Sequence, residues 1–276
     1  MLRLREVCLD SKSAVLYVAA TDGRLQAISA ATGRLLAEIL VPGLPVTASR
    51  GVVAVVERPG EHSLGAVSLV EWVVPDELKP SGGLALAWTA PLFDPVEFEQ
   101  VRHGLADVEL SATIGSAEVV VTGRFRLRYQ GGAEPTAGTA SEASEFLLAV
   151  AYDRFTGKRE SRTPVGAGLD LGTAGGNEAK PGADGLPGTQ ILPRDPVGGQ
   201  WEIHRPDGDP CDLLLDPGTQ AAQIIGGRVL YWVLETPADG SGVCRYLRSR
   251  SIDPHEDLTW SHLVDQAIPE SPKHRP

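Results

Sequence analysis

Hydrophobic and polar residues alternate in short runs along this chain, and turn-forming residues separate the runs. Between residues 14 and 41, AVLYVAATDGRLQAISAATGRLLAEILV, three runs follow one another: Val15–Ala20, Arg24–Ser29 and Arg34–Val41. Alternation with a period of two predicts strands. Asp22-Gly23 supplies the positive φ that a tight hairpin turn needs, and Ala31-Thr32-Gly33 makes the second turn. A close variant, LLAVAYDRFTGKRESRTPV, returns at 147–165. A recurring strand–turn unit predicts a repeat architecture.

Four segments overlay by these signals. The first covers residues 1–43. The second, 44–92, offers Gly51–Glu57, Gly65–Val74 and Leu84–Leu92, the last carrying Trp88. The third, 105–166, reads as a long hairpin of Glu118–Tyr129 and Glu145–Asp153 around a Gly/Ala/Thr/Ser-rich insertion, 129–145. The fourth, 201–266, offers Gln223–Glu235, Cys244–Asp253 and Leu258–Val264, with Trp260 in the last. An extra strand precedes each: Leu2–Leu9, Leu44–Ser49, Val108–Ile114 and, in the fourth, either Trp201–Arg205 or Asp212–Leu215. Four antiparallel strands per unit make the blade of a β-propeller. The expected fold is therefore all-β, a single propeller-like domain over 1–266. A Gly/Pro-rich loop insertion fills 166–200, and the tail 267–276 is expected to be flexible. Four units leave closure with three readings: short strands hidden in the insertions, a small closed ring, or a ring completed by a second chain.

The segments at 14–41 and 147–165 resemble the repeat of the PQQ-like (quinoprotein-like) β-propeller family. In that repeat a strand is followed by D-G-x-L-x-A-x-D-x-x-T-G-K-x-x-W. The first segment supplies Asp22, Gly23, Leu25, Ala27, Thr32, Gly33 and Arg34, with Ser29 in place of the second Asp. The later one supplies Ala151, Asp153, Thr156, Gly157 and Lys158, while Trp88 and Trp260 fall where the family's tryptophan sits in the outermost strand. The resemblance implies that these tryptophans pack between neighbouring blades and that the Asp/Thr-Gly turns bond their own backbone. It covers two units well. Leu36 and Glu160 lie near the tryptophan position of those two.

The family's enzymes hold a quinone with calcium and use a vicinal Cys pair and acidic residues near the ring centre. Cys8, Cys211 and Cys244 are far apart, and no acidic cluster matches, so the resemblance implies a non-catalytic member without a cofactor. The cysteines also lack the spacing of a disulfide framework or zinc site. Asp207, Asp209, Asp212 and Asp216 lack the spacing of a calcium loop and read as turn residues. The six histidines are scattered; His255, beside Glu256 and Asp257, reads as an exposed turn residue. Neither a G-x-S-x-G elbow nor a phosphate-binding glycine loop occurs.

A net charge of −11 disfavours nucleic acid as a direct partner. No apolar run of about eighteen residues suggests a membrane span. The N-terminus lacks the apolar core of a signal peptide, so a cytoplasmic location is expected if Met1 is the native start. Arg124, Arg126 and Arg128 alternate with Phe125, Leu127 and Tyr129 on one strand face; they read as a solvated face or a surface for an acidic partner. Phe93 and Phe98 are candidate partner-binding aromatics, on a short helix begun by Asp94 and Pro95. Trp72 reads as core.

The expected function is a non-catalytic propeller that scaffolds or recognises another protein subunit in a larger assembly, with completion of the ring as one role for that subunit. The alternative is a propeller enzyme, a hydrolase, lyase or quinoprotein-like chain, acting on a small molecule or sugar in a central funnel.

Overall fold

The structure is a computed structural model that describes residues 6–60, 63–73, 83–96, 98, 105–127, 144–165, 189–206, 208–225, 227–237, 242–252 and 258–266. Its strands form sequential antiparallel meanders. The first sheet orders β1 (Val7–Asp10), β2 (Val15–Ala19), β3 (Arg24–Ser29) and β4 (Leu35–Leu40) side by side. The second repeats the pattern with β5 (Leu44–Ser49), β6 (Val52–Glu57), β7 (Ala66–Val73) and β8 (Gly83–Pro91). The third is built from β9 (Leu105–Ile114), β10 (Glu118–Leu127), β11 (Ser144–Asp153) and β12 (Arg159–Val165). A fourth sheet has three strands, β13 (Gln190–Asp195), β14 (Gln200–His204) and β15 (Cys211–Leu214). The fifth holds β16 (Ala221–Ile225), β17 (Arg228–Glu235), β18 (Cys244–Ser251) and β19 (Leu258–Gln266). These are propeller blades, and the fold class is the all-β propeller.

Five sheets are present among the described residues, which agrees with the reading that an insertion hides short strands. Part of the segment expected as a loop at 166–200 is strand: β13 lies wholly within it and β14 begins in it. Its Gly and Pro content masked a hairpin whose turn is Asp195-Pro196-Val197-Gly198-Gly199; Pro193 is tolerated because β13 is an edge strand. The two candidates for the front strand of the fourth unit, Trp201–Arg205 and Asp212–Leu215, are neighbours in this additional sheet. The true front strand is β16. Its last three residues open the run Gln223–Glu235, which breaks at Gly227, whose φ of 74° makes a turn. The 129–145 insertion, apart from its last two residues, and the tail 267–276 lie outside the described residues.

The second strand of a sheet is often buried along its whole length. β2, Val52–Val56 of β6 and Val229–Val233 of β17 are continuously buried, with no polar alternation. A strand covered on both faces has no reason to alternate, so VLYVA and VVAVV read as unbroken apolar runs.

The chain divides into two compact units, Ile39–Gly176 and Met1–Glu38 with Asn177–Pro276. The second and third sheets of the former share one core, in which Val52, Val56, Leu69 and Trp88 meet Val119, Phe125, Val150 and Tyr152. In the latter unit the fifth sheet packs against both the first and the fourth. Leu16, Val18 and Ile28 meet Trp232, Leu247 and Trp260 in one core. Trp201, Ile203 and Leu213 meet Val229, Tyr231 and Val233 in the other.

The contact between the last sheet and the first joins residues more than 200 positions apart. Trp260 lies against Gly33, where a Cβ would come within 2.6 Å of the indole, and its Nε1–H donates to Ala30 O at 3.1 Å. At the other end Asp265 accepts from Thr21 N–H (2.8 Å) and Thr21 O–H (3.0 Å). Arg245 donates to Asp265 (2.6 Å) and to Ala19 O (3.2 Å), with its guanidinium 4.4 Å from the Trp232 ring centre. Between them His262 Nε2 sits 3.1 Å from Gln26 Oε1.

Two outcomes are expected. Gly33→Ala meets both a left-handed φ of 67° and the Trp260 ring, and should cost about 2–4 kcal/mol in denaturant unfolding. Burial holds His262 below its ordinary value of 6.5, against a hydrogen bond with the Gly33 backbone that favours the charged form. The unfolded chain therefore binds the proton more readily, so this contribution is complete above pH 6.5 and is lost as pH falls below it. The Tm of His262→Gln should depend less on pH than wild type between about pH 7.5 and 5.5, measured by thermal melts.

Candidate functional site

The turn that joins β11 to β12, Asp153-Arg154-Phe155-Thr156-Gly157, is the most tightly specified loop of the third sheet. Asp153 Oδ1 accepts three hydrogen bonds, from Phe155 N–H (3.1 Å), Thr156 N–H (2.7 Å) and Thr156 O–H (2.6 Å). Thr156 Oγ1 in turn accepts from Lys158 N–H at 3.3 Å, and Gly157 N–H donates to Asp153 O at 2.9 Å. Gly157 takes a φ of 69°, which an L side chain rarely adopts. The hydroxyl and amide of Thr156 hold the Asp153 carboxyl below its ordinary value.

Neighbouring strands fix the turn from outside. Trp88, on β8, lies flat against Gly157, where a Cβ would come within 2.6 Å of the ring, and its Nε1–H donates to Arg154 O at 2.7 Å. The Trp88 and Tyr152 rings stack with centroids 5.8 Å apart, and Tyr152 O–H donates to Pro91 O at 2.9 Å. Arg154 reaches back to Gly115 O at 2.9 Å. At the apex of this immobilised turn Phe155 is 74% exposed. A rigid turn that presents a bare aromatic ring has the form of an interface anchor, because little side-chain or loop entropy remains to be lost on binding.

The first sheet carries the same turn in a weaker form. Ser29 Oγ accepts from Thr32 N–H at 3.3 Å, and Thr32 Oγ1 from Arg34 N–H at 3.4 Å. Its apex residue is Ala31, where the third sheet has Phe155. Asp22 and Gly23 form the preceding turn, where Asp22 accepts from Arg24 backbone and side chain and Gly23 has a φ of 85°.

Other expected site residues lie elsewhere. Phe93 and Phe98 do not face a partner: both are buried, with Phe93 edge-on to Phe125 at 5.3 Å. The helical turn after Asp94 exists, with Phe98 N–H donating to Asp94 O at 3.0 Å, but it folds these rings inward. An apolar pair beside Pro95 is as well suited to closing a core as to docking. Arg124 is exposed on β10, and the register sets it opposite Glu109. Arg126 stands opposite Asp107 on one side and Glu145 on the other. Opposite charges across strands support a sheet by about 0.2–1 kcal/mol a pair, which gives Arg124 opposite Glu109 a role within it. Arg128 and His255 lie outside the described residues. Trp72 is half-buried.

Of the aspartates, Asp207 lies outside the described residues, whereas Asp216 is a clamp rather than a plain turn residue. It accepts from Tyr231 O–H at 2.8 Å and pairs with Arg248 at 3.0 Å, tying the end of the fourth sheet to the fifth. Among the described residues no group of three or more His, Cys, Asp or Glu is placed to hold a metal ion. A single Phe within a repeat looks like ordinary strand sequence, so Phe155 carries no signal by itself. Its neighbours Asp153, Thr156 and Gly157 already marked a turn, and an aromatic at the apex of such a turn was the available signal.

The blades define a protein of the β-propeller class. No known protein-family pattern matches the chain, and no curated protein sequence does. Among solved structures it is similar to BamB from Moraxella catarrhalis, at 14% identity and a TM-score of 0.30 over 92% of this chain and 60% of that one. The chain thus spans three-fifths of the length of the structure it matches.

Because the folded Asp153 carboxyl is depressed, its contribution is present above the ordinary value of 3.8 and is lost as pH falls through the folded one. Asp153→Ala should lower the Tm at neutral pH, and the gap from wild type should shrink as the pH is taken well below 3.8 in parallel melts.

Proposed function

We propose that this chain is a non-catalytic propeller subunit that recognises another protein, with the β11–β12 turn of the third sheet as an anchor. The observation that carries this is Phe155: an exposed ring on a turn that Asp153, Thr156, Gly157 and Trp88 hold in place. Exposed aromatics on rigid loops are what protein interfaces use as hot spots, whereas a ring needed only for the fold would be buried. The PQQ-like resemblance of the same turn supports the reading at the level of fold, since the residues that resemble the family are those that shape the turn.

Two results test it. Phe155→Ala should leave the Tm within about 1–2 °C of wild type, because an exposed side chain contributes little to the core. The same variant should reduce capture of the natural partner by on the order of tenfold or more, read by quantitative mass spectrometry of co-purified proteins. Capture that is unchanged by the substitution would contradict the proposal. So would strong, specific thermal stabilisation by calcium, a quinone or a sugar, because it would point to a ligand site.

A further inference from the structure

Among the described residues the fourth sheet has three strands where every other has four, so β15 forms an edge in the place that β3, β7, β11 and β18 occupy as interior strands. We propose that β15 accepts an extended strand from a partner protein, which completes the fourth sheet. The proposal rests on the scaffold reading above and adds a second surface to it, together with the form of the partner.

The register identifies the groups that are available. Leu215 N–H donates to Gly199 O at 2.8 Å, in line with the pairing of Leu213 with Trp201 and of Cys211 with Ile203. In an antiparallel ladder, hydrogen-bonded pairs alternate with non-bonded pairs, so residues two apart direct their backbone groups the same way. Cys211, Leu213 and Leu215 therefore bond β14, while Asp212 and Leu214 turn their N–H and C=O groups outward. Among the described residues no strand pairs with this edge. Arg250 Nη1 donates to the Leu214 carbonyl, and among the described residues both groups of Asp212 and the Leu214 N–H have no strand partner. An evenly spaced row of backbone donors and acceptors is matched by the backbone of another strand.

The side chains set the chemistry of that strand. Leu213 and Leu215 face the core shared with the fifth sheet, so the incoming strand needs apolar residues on that side. On the other face the Asp212 side chain is 84% exposed, and Arg194 bridges it to Glu202 at 3.1 and 3.3 Å. Asp195, Glu202 and Asp212 outnumber Arg194 on the strands of this sheet, so Lys or Arg opposite Asp212 is the complementary choice. Leu214 and Val197, 62% and 80% exposed, add apolar surface towards the end of the edge, where Gly218 N–H donates to Val197 O. The expected partner is thus a strand that alternates apolar and basic residues.

The test uses the full chain and an acetylated, amidated Val-Lys-Val-Lys-Val peptide. The amides of Asp212 and Leu214 should exchange hydrogen freely in the isolated protein and slow by on the order of tenfold or more when the peptide is added. Asp212→Pro and Leu214→Pro each remove one outward donor without touching the β14 ladder. Each should weaken peptide binding by on the order of tenfold with the Tm unchanged. Asp212→Lys should shift preference to the Val-Glu analogue. The proposal is overturned if these amides are already protected in the isolated monomer, which would mean that another part of the chain covers the edge. Protection that appears only as the protein self-associates would make a second copy the occupant and overturn it equally, as would peptide binding that neither proline variant changes. Partner capture through Phe155 is scored separately: capture intact without peptide protection rejects the edge alone, and loss of both rejects the scaffold reading too.

Discussion

An indole ring laid on a glycine is the contact on which this fold depends. Trp88 covers Gly157 and Trp260 covers Gly33, and each ring also donates its N–H to a carbonyl of the turn it covers, Arg154 or Ala30. Twisted sheets packed face to face leave a gap at their outer ends that aliphatic side chains do not fill. A flat ring fills it only if the opposing backbone carries no Cβ, and the left-handed turn supplies such a residue. Turn and tryptophan are therefore one device split between two sheets, and either half alone would leave a void or a clash.

The same device explains how the two ends of a long chain come to share a core. The first and last sheets are linked by Trp260, by the Gln26–His262 contact and by the Asp265–Thr21 and Arg245–Ala19 bonds. Arg245 and Asp265 pair across strands within the fifth sheet, largely screened from water, and the first sheet adds further partners to both through Ala19 O and Thr21. Where the fourth sheet meets the fifth, the outer tryptophan is replaced by polar clamps, Tyr231 and Arg248 on Asp216 and Arg250 on Leu214. That substitution accompanies the missing fourth strand and leaves β15 at an edge.

Legibility in the sequence followed the physics of each signal. Turns with a chemical mechanism were readable: Asp22-Gly23, Thr32-Gly33 and Thr156-Gly157 all turn where their residues require it. Both outer-strand tryptophans were readable as well. The fourth sheet was not, because Gly198, Gly199 and Pro193 made its first hairpin resemble a loop, and Gly227 concealed the boundary between β16 and β17. Phe93 and Phe98 misled for a different reason: periodicity and capping place a ring on a helical turn, but only tertiary packing decides whether it points inward. Arg124 and Arg126 read as a patch until the register supplied Glu109, Asp107 and Glu145 across the strands. Cross-strand neighbours are not visible in a linear chain.

What distinguishes this chain from a bare repeat lies in what the repeat holds still. The Asp153–Gly157 turn is held by its own hydrogen bonds and by Trp88 while it displays Phe155, and among the described residues no strand pairs with the β15 edge of the fourth sheet. Both are the features that the proposed partner surface would use. The most direct measurement is site-specific photocrosslinking from position 155 in the intact cell. A discrete covalent adduct with another protein, absent when the same crosslinker replaces the buried Phe93, is the predicted result. A chain that forms no adduct from position 155, or the same adducts from both positions, would contradict it.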